Sequence, residues 1–426
     1  MSLKSYVVSR VAERVLGEDR QAVRRAKIEA ERKASGAPHL VSYFHDAADP
    51  YAHLTLQALA GFMARYDVTL ECYLVGPPDD GAAPERDMLA IYSLEDARRL
   101  AVKAGLEAPV SNTPDADRLA AAEAAFADAL ARGAFLEEAP QISQALWSGG
   151  ALPDVGTGDA AAHKAAGDEA RATLGHYLGA TFHYGEEWYW GLDRLHFLEE
   201  RLEALGVRRE GAPQGVIYSQ PVSPDGAGAM AGDPPELHYY LSFRSPYSYI
   251  VAERAKALSD AYGADLKLRF VLPMVMRNLP VPKIKGRYIA MDTAREARRL
   301  GVPFGRVADP VGKPVERGYS ILPWADACGR GYEFCHSFMS GVWAEGIDAG
   351  GDSGMQRIVE RAGLDWAQAR LLIGNEDWRG TAEANREEMF DLGLWGVPSF
   401  RVGDVATWGQ DRLWVVEEAL QTLSDA

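Results

Sequence analysis

A serine begins a predicted helix in the second half of the chain, and its hydroxyl could take part in chemistry. Ser245 is followed by Pro246 and preceded by the apolar-rich residues 237–243. Serine caps helices by accepting a backbone N–H, and proline suits the first helical position, so the pair predicts a helix N-terminus without any chemistry. A hydroxyl beside the positive end of a helix dipole would also stabilise a bound anion such as a thiolate. Both interpretations stay open on this pattern alone.

A second candidate is the segment Gly-Val-Pro-Ser-Phe at residues 396–400, just before a predicted strand. Proline is tolerated at the first residue of a strand, which is the structural interpretation. A cis bond between Val397 and Pro398 would turn the backbone of Val397 outward. Its N–H and C=O could then pair with a peptide-like ligand as an added strand.

Cysteine and metal chemistry receive little support from the sequence. No C-x-x-C pair occurs among the three cysteines, which are Cys72, Cys328 and Cys335. We expect these thiols to be buried and to pack as small hydrophobic side chains. Two histidines and two aspartates fall within residues 45–53, but their spacing fits no standard ligand pattern, and we predict no metal.

Length and composition set the class of protein. The chain has 426 residues, of which 47% are hydrophobic and 25% charged, so two or three globular domains are expected. Its formal net charge of −16 disfavours nucleic acids and anionic membranes and leaves a small-molecule substrate as the preferred partner. Neither a signal peptide nor a membrane-spanning run is recognisable, so we expect a cytoplasmic location.

The chain repeats itself at long period, and the matching motifs keep their order. Residues 40–53 resemble residues 237–249, with one residue more in the first segment. FADALARG from Phe126 matches WADACGRG from Trp324, and WGLDRL from Trp190 matches WGQDRL from Trp408. The same mutual spacing is shared by Tyr92, Asp96, Arg99 and Gly105 and by Tyr288, Asp292, Arg295 and Gly301.

The order of elements in each copy predicts an α/β fold. In the second copy, strands are predicted over 237–241 and 266–272, with a helix from Pro246 between them. Helices are predicted over 289–300, 323–346 and 353–362. A strand pair over 399–402 and 405–408 and a helix from Asp411 then end the chain. This layout is that of a thioredoxin-like fold with an inserted helical subdomain, so we predict two such folds in tandem.

The motifs of the second copy resemble one family when they are taken together. They are SFRSPYSY at 242–249, N-x-P at 278–280, K-x-x-Y-x-x-x-D-x-x-R at 285–295, GVPSF at 396–400 and WGQDRL at 408–413. In this order they resemble the DsbA-like thioredoxin-fold family, of the type of 2-hydroxychromene-2-carboxylate isomerase and kappa-class glutathione transferase. The family's first strand commonly reads F-D-F, whereas this chain has Leu241-Ser242-Phe243, a departure that concerns the substrate more than the fold.

The resemblance implies a glutathione site. Ser245 would hydrogen-bond the glutathione sulfur, and Val397 beside cis-Pro398 would bind the cysteinyl backbone. Gln410 and Asp411 would hold the γ-glutamyl group. Pocket-lining roles are implied for Asn278 and Lys285. Glutathione carries two carboxylates and one ammonium, so a cation and a carboxylate are the charged partners that it needs.

The first copy departs further from the family pattern. Asp49 stands where the second copy has Ser245, and Gly-Ala-Thr-Phe at 179–182 replaces GVPSF. We therefore predict a helical extension over 1–36, a degenerate domain over 37–206, a linker over 207–235 and the functional domain over 236–426. The duplication is expected to supply a dimer within one chain, and a homodimer is the open alternative.

The predicted function is a glutathione-dependent isomerase or transferase acting on a small electrophilic, aromatic-derived substrate. One alternative is a non-catalytic binding or scaffold protein with two vestigial sites. Another is a thiol-disulfide oxidoreductase, which would need a cysteine at the helix start, where this chain has Ser245 and Asp49.

Overall fold

The computed structural model of the chain describes residues 3–110, 112–153, 158–220, 233–279 and 281–424. Pro280 of the N-x-P motif and residues 221–232 of the predicted linker lie outside the described residues. The described residues divide into two compact units. The N-terminal unit falls within Arg24–Gln220 and Pro282–Tyr288, and the C-terminal unit within Met1–Val23, Pro221–Val281 and Ile289–Ala426. The domain boundaries expected from the sequence stay predictions.

Each unit contains a four-stranded mixed sheet. The strands of the N-terminal unit are β1 (Leu40–His45), β2 (Thr69–Leu74), β3 (Thr181–Tyr184) and β4 (Glu187–Trp190), in the order β2-β1-β3-β4. Those of the C-terminal unit are β5 (Glu236–Leu241), β6 (Asp265–Phe270), β7 (Ser399–Val402) and β8 (Val405–Trp408), in the order β6-β5-β7-β8. In both sheets the first strand pairs parallel with the second and antiparallel with the third.

Helices fill the rest of the described chain. In the first part of the chain they are α1 (Leu3–Leu16), α2 (Glu18–Ser35), α3 (Pro50–Arg65), α4 (Arg86–Ala104), α5 (Ala116–Ala131), α6 (Phe135–Ser148), α7 (Ala160–Leu174) and α8 (Gly191–Ala204). In the second part they are α9 (Pro246–Tyr262), α10 (Lys283–Arg299), α11 (Lys313–Ala327), α12 (Gly331–Trp343), α13 (Asp352–Arg361), α14 (Trp366–Leu372), α15 (Trp378–Asp391) and α16 (Leu413–Ser424). A 3-10 helix covers Met274–Arg277.

The predicted α/β architecture is confirmed, because each sheet is interrupted by a run of helices between its second and third strands. The central strands β1 and β5 are buried along five of their six residues. Central strands of mixed sheets are covered on both faces, which explains why their sequences are apolar rather than alternating. Tyr43 and Tyr239 occupy matching positions in these strands and are both almost completely buried.

The same hydrogen bonds recur in the two units at one constant separation along the chain. The Tyr51 hydroxyl donates to Asp96 Oδ2 at 2.7 Å, and the Tyr247 hydroxyl donates to Asp292 Oδ2 at 2.7 Å. Leu40 and Glu236 each begin the first strand, and α3 and α9 follow after segments of equal length. The extra residue expected in the first segment is therefore wrong, because the two segments align without a gap.

Three local expectations differ from the structure. The helix predicted over 323–346 is two helices, since Gly329 adopts a left-handed φ of 69° after Cys328 and ends α11. The helix predicted over 1–36 breaks between α1 and α2 at Gly17, where a Cβ would lie 2.9 Å from the Glu13 carbonyl oxygen. Val7, Val8, Val11, Val15 and Leu16 recur at helical spacing, which predicts one buried face of α1, but only Leu16 of these five is buried and the valines are exposed.

Candidate functional site

The helix start at Ser245 is built by the serine itself. Ser245 has an extended backbone, and its Oγ accepts a hydrogen bond from the Ser248 N–H at 3.1 Å, while Pro246 opens α9. The Ser245 N–H donates to the Ser242 carbonyl at 2.9 Å, which ties the turn to the end of β5. Ser245 is therefore the N-cap of α9 and Pro246 its first residue, which confirms the predicted helix N-terminus.

A segment from the far end of the C-terminal unit meets this helix start. The Ser245 hydroxyl donates to the Val397 carbonyl at 3.2 Å. The Val397–Pro398 bond is cis, as the sequence predicts. The Pro398 carbonyl accepts the Gly409 N–H at 2.9 Å, so the turn before α16 is joined to the same segment. The structure thus brings Ser245, Val397 and Pro398 together.

Val397 offers one backbone donor to a ligand. Its carbonyl accepts the Ser245 hydroxyl, but its N–H donates to no acceptor within the ranges that the structure describes. Gly396 packs so closely on the indole of Trp408 that a Cβ would lie 2.6 Å from the ring. This contact holds the residue before Val397 in place. A half-buried N–H without an internal partner is the kind of group that an extended peptide pairs with.

Gln410 is buried and bonded within the protein. Its backbone carbonyl and its Oε1 both accept hydrogen bonds from Arg254 Nη2, at 2.9 and 2.5 Å. Its Nε2 donates to Glu296 Oε2 at 3.2 Å. Burial lowers the pKa of Arg254 to about 10. The side-chain amide of Gln410 is therefore engaged in this structure, and its predicted ligand contact stays a prediction.

Asp411 follows Gln410 just before α16. Its side chain is 16% exposed, and its Oδ1 lies 3.7 Å from Arg412 Nη1. Gly409 has a φ of 118°, and a Cβ there would lie 2.7 Å from Asp411 Oδ1, so this turn requires glycine. A partly exposed carboxylate at this turn can accept an ammonium group.

Aromatic side chains hold the loop ahead of Ser245. The Phe243 ring stacks on Phe338, with centroids 4.1 Å apart. Its carbonyl accepts Trp343 Nε1–H at 3.1 Å, and its N–H donates to the Tyr319 hydroxyl at 3.3 Å. Burial raises the pKa of Tyr319 well above its usual value. Sequence reasoning missed these residues because single aromatic side chains in helices carry no signal that separates them from ordinary core.

Arg244, the residue before Ser245, is held by an ion pair. Its Nε and Nη2 donate to the two carboxylate oxygens of Asp309, each at 2.9 Å. Both side chains are partly exposed to solvent. Such a bidentate pair holds the guanidinium of Arg244 on Asp309 and gives this arginine a structural role.

Asn278 and Lys285, which were predicted to line the ligand pocket, are observed in hydrogen bonds to backbone carbonyls of the protein. Asn278 is exposed, has a left-handed φ of 62° and ends the 3-10 helix through its N–H, which donates to the Met274 carbonyl. Lys285 belongs to the N-terminal unit, where its Nζ donates to the Ala82 carbonyl at 2.7 Å. Burial lowers the pKa of Lys285. Their place in a ligand pocket stays a prediction.

The matching site of the N-terminal unit has different chemistry. Asp49 caps α3 by accepting the Tyr51 N–H at 2.9 Å, and burial raises the pKa of Asp49 to about 7. Asp46 occupies the position of Ser242, and burial raises its pKa to about 6. Gly179 stands in the place of Val397, with so little room that a Cβ would lie 2.4 Å from Asp46 Cβ.

Metal sites, reactive cysteines and membrane-spanning helices are further features that would bear on the function of the described residues. No set of three or more His, Cys, Asp or Glu side chains there could hold a metal ion. The cysteines are free, and burial raises the pKa of Cys72 to about 12 and that of Cys335 well above its usual value. Cys328 is exposed, contrary to expectation. Over the same ranges, none of the helices combines the length and the apolar character that a bilayer crossing requires.

Comparison with known proteins agrees with the motifs. Residues 236–421 match the family model of the DSBA-like thioredoxin domain. The 2-hydroxychromene-2-carboxylate isomerase of Pseudomonas putida is 23% identical over 195 residues, which are 44% of this chain and 95% of the relative. The enzyme of the same name from Sphingobium xenophagum is 24% identical over 200 residues, which are 43% of this chain and 97% of the relative. The resemblance predicted from the sequence is confirmed for this half of the chain.

Two solved structures match about the same share of the chain. A 2-hydroxychromene-2-carboxylate isomerase is 22% identical with a TM-score of 0.39, covering 44% of this chain and 95% of its own. The cytosolic disulfide reductase DsbM from Pseudomonas aeruginosa is 20% identical with a TM-score of 0.34, covering 44% of this chain and 98% of its own.

Proposed function

We propose that the C-terminal unit is a glutathione-dependent isomerase or transferase that acts on a small electrophilic, aromatic-derived substrate. The observation that carries the proposal is the meeting of the Ser245 hydroxyl with the Val397 backbone, whose N–H has no partner within the described ranges. The relatives that match this half of the chain are isomerases by name, which supports the reaction class.

The groups present fit glutathione at three points. A hydroxyl at the start of α9 suits the sulfur, the N–H of Val397 suits the cysteinyl carbonyl, and the carboxylate of Asp411 suits the γ-glutamyl ammonium. The turn that carries Asp411 is joined to the Val397 segment through the hydrogen bond from Gly409 to Pro398. A cation for the two carboxylates of glutathione is the part of the site that Lys285 was predicted to supply.

Bound glutathione would supply a thiolate that adds to an unsaturated substrate and either leaves after bond rotation or stays attached in a conjugate. Ser245 has one hydroxyl proton, which is now donated to the Val397 carbonyl. On binding, this proton would turn to the sulfur, because a hydrogen bond to an anion is roughly twice as strong as a neutral one. The Ser248 N–H can stay on Ser245 Oγ throughout, so the cap is kept.

The chain's own cysteines do not support disulfide chemistry. A reactive cysteine has a lowered pKa and is exposed at a helix start. Cys72 and Cys335 have raised pKa values, and Ser245 and Asp49 hold the helix starts. The proposal includes the cytoplasmic location expected from the sequence, where glutathione is kept reduced.

The first test is binding of glutathione to the full chain. A ligand at about 100 times its dissociation constant adds about 2.7 kcal/mol to the free energy of unfolding. We expect reduced glutathione at millimolar concentration to raise the melting temperature, as measured by scanning calorimetry. An unchanged melting temperature would favour the non-catalytic scaffold instead.

The second test is Ser245→Ala. We expect a loss of turnover by at least about 100-fold with a stability loss of about 1 kcal/mol, the cost of a missing cap. Asp365→Ala is the matched control, since Asp365 caps α14 by accepting the Ala367 N–H at 2.8 Å. The control should lose similar stability and keep its activity, measured with an electrophilic aromatic substrate and glutathione. Equal activities of the two variants would remove Ser245 from the mechanism.

A further inference from the structure

A buried polar network, which we call the Arg254 network, links α9, α10 and the turn before α16. It consists of Arg254, Gln410, Glu296 and Arg299. Arg254 donates to both oxygens of Gln410, and Gln410 donates to Glu296. Glu296 Oε2 also accepts from Arg299 Nη2 at 3.0 Å. Gln410 is 2% exposed and Glu296 0%, so the network is closed to solvent at its centre.

The N-terminal unit has the same sheet order, but apolar side chains stand at the positions that correspond to this network. The position of Arg254 in α9 is that of Ala58 in α3, as the matched tyrosine contacts and strand registers require. By the same alignment, Leu100 replaces Glu296. Leu192 replaces Gln410, as the matching segments WGLDRL and WGQDRL after β4 and β8 show. Ala58, Leu100 and Leu192 are all buried apolar residues in their unit.

This difference shows that the fold does not need the network. Burial of charged groups carries a desolvation cost, and replacement of a buried ionic group by apolar residues is often neutral or stabilising. The N-terminal unit makes this replacement at three positions and keeps the same sheet order. The C-terminal unit therefore carries a costly feature that stability alone does not explain.

The network connects the two ends of the proposed glutathione site. Arg254 lies on α9, the helix that Ser245 begins. Gln410 lies between Gly409 and Asp411 in the turn before α16, and the φ of 118° at Gly409 requires glycine there. Because three hydrogen bonds hold Gln410, they also set where the next residue, Asp411, stands relative to α9.

We infer that Arg254 is a positioning residue that fixes the distance between Ser245 and Asp411, and so selects a ligand whose thiol and ammonium are as far apart as those of glutathione. The inference rests on the proposed function of the C-terminal unit. Arg254 acts through Gln410 and does not touch the ligand. Glu296 supports Gln410 from the other side.

The test is Arg254→Ala, which installs the residue of the N-terminal unit. We expect the KM for glutathione to rise about tenfold or more, which corresponds to about 1.4 kcal/mol of binding free energy. Turnover at saturating glutathione should change less than about twofold, because the sulfur site at Ser245 is intact. Arg254→Lys, which keeps one donor for Gln410, should restore part of the affinity. An unchanged KM in Arg254→Ala would overturn the inference.

Two further variants separate positioning from stability. The triple change Arg254→Ala, Gln410→Leu and Glu296→Leu copies the N-terminal unit and should recover folding stability without recovering glutathione affinity. Arg361→Met removes an arginine of the same unit that donates to Ser337 Oγ and Ser340 Oγ, and it should leave the KM unchanged. Full affinity in the triple variant would overturn the inference even if the single variant fails to fold. Absence of glutathione binding by the unaltered chain would instead refute the proposed function.

Discussion

The helix that follows the first strand is capped by a carboxylate in the N-terminal unit and by a hydroxyl in the C-terminal unit. Asp49 and Ser245 both accept a backbone N–H of their helix, so both serve equally as caps. An ionised carboxylate can only accept hydrogen bonds, whereas a hydroxyl also has a proton to donate. Capping and chemistry are therefore separable at this position, because the serine keeps a proton to donate at any pH, whereas Asp49 loses its proton above a pKa of about 7.

The space in front of the helix start differs as well. The C-terminal unit accommodates Val397 and pairs its carbonyl with Ser245. The N-terminal unit has Gly179 at this position, in close contact with Asp46. Its turn has therefore closed onto the first strand, which leaves no room for the side chain that the other unit carries.

The largest expected effect comes from forcing the side chain of the C-terminal unit into the N-terminal one. Gly179→Val would place a Cβ 2.4 Å from Asp46 Cβ and 3.3 Å from its backbone nitrogen. We expect the free energy of unfolding to fall by about 3 kcal/mol, the upper range for overpacking. Denaturant unfolding followed by circular dichroism measures this loss.

Gly61→Ala in α3 of the same unit is the control. A Cβ there would meet Ile217 Cδ1 at 3.7 Å, an ordinary contact. Since alanine favours a helix interior over glycine, this change should leave the stability equal or raise it by up to about 1 kcal/mol. A Gly179→Val protein as stable as Gly61→Ala would show that the N-terminal turn is open.

A smaller effect is expected from substitution of Asp411 and of Asp193, which occupy equivalent positions in the two units. Asp411→Asn should weaken glutathione binding about tenfold, because the ammonium loses its charged partner. Asp193 accepts a hydrogen bond from the Gln220 amide within its own unit. Asp193→Asn should therefore leave glutathione affinity unchanged in isothermal titration calorimetry. Equal losses in both variants would contradict the assignment of the site to the C-terminal unit.

The smallest effect is a pH dependence of the N-terminal unit. Burial raises the pKa of Asp46 to about 6 and that of Asp49 to about 7, so the folded state binds protons more tightly than the unfolded state. Stability should therefore fall as the pH rises from about 4, the usual pKa of aspartate, to about 7. Asp49→Asn keeps the cap and should be more stable than the unaltered chain by about 1 kcal/mol at pH 8 and equal to it at pH 4.

Asp115→Asn is the control for this pH dependence, because Asp115 caps α5 from an exposed position. The comparison of the two variants separates the loss of a carboxylate at a buried cap from its loss at an exposed cap. A pH profile of Asp49→Asn that runs parallel to that of the unaltered chain would show that Asp49 is ionised throughout.

Elements and site residues differ in how well the sequence predicts them. The hairpin of β7 and β8 was predicted at its observed bounds, since a Gly-Asp turn between two short apolar segments is a local signal. The two helices α11 and α12 were predicted as one helix over 323–346, although Gly329 and Gly331 are a local signal for a helix end. Arg254, Glu296 and Tyr319 carried no signal, since their partners lie far away in the sequence.

By itself the sequence determined the α/β class, the repeat and the start of α9 at Ser245, because capping, turn chemistry and motif order are properties of neighbouring residues. Only the tertiary structure decided that the Ser245 hydroxyl meets the Val397 carbonyl, that Gln410 is fixed by Arg254, and that Lys285 belongs to the N-terminal unit, where it binds the Ala82 carbonyl. These contacts join residues distant in the chain, and their geometry depends on how the packed elements meet.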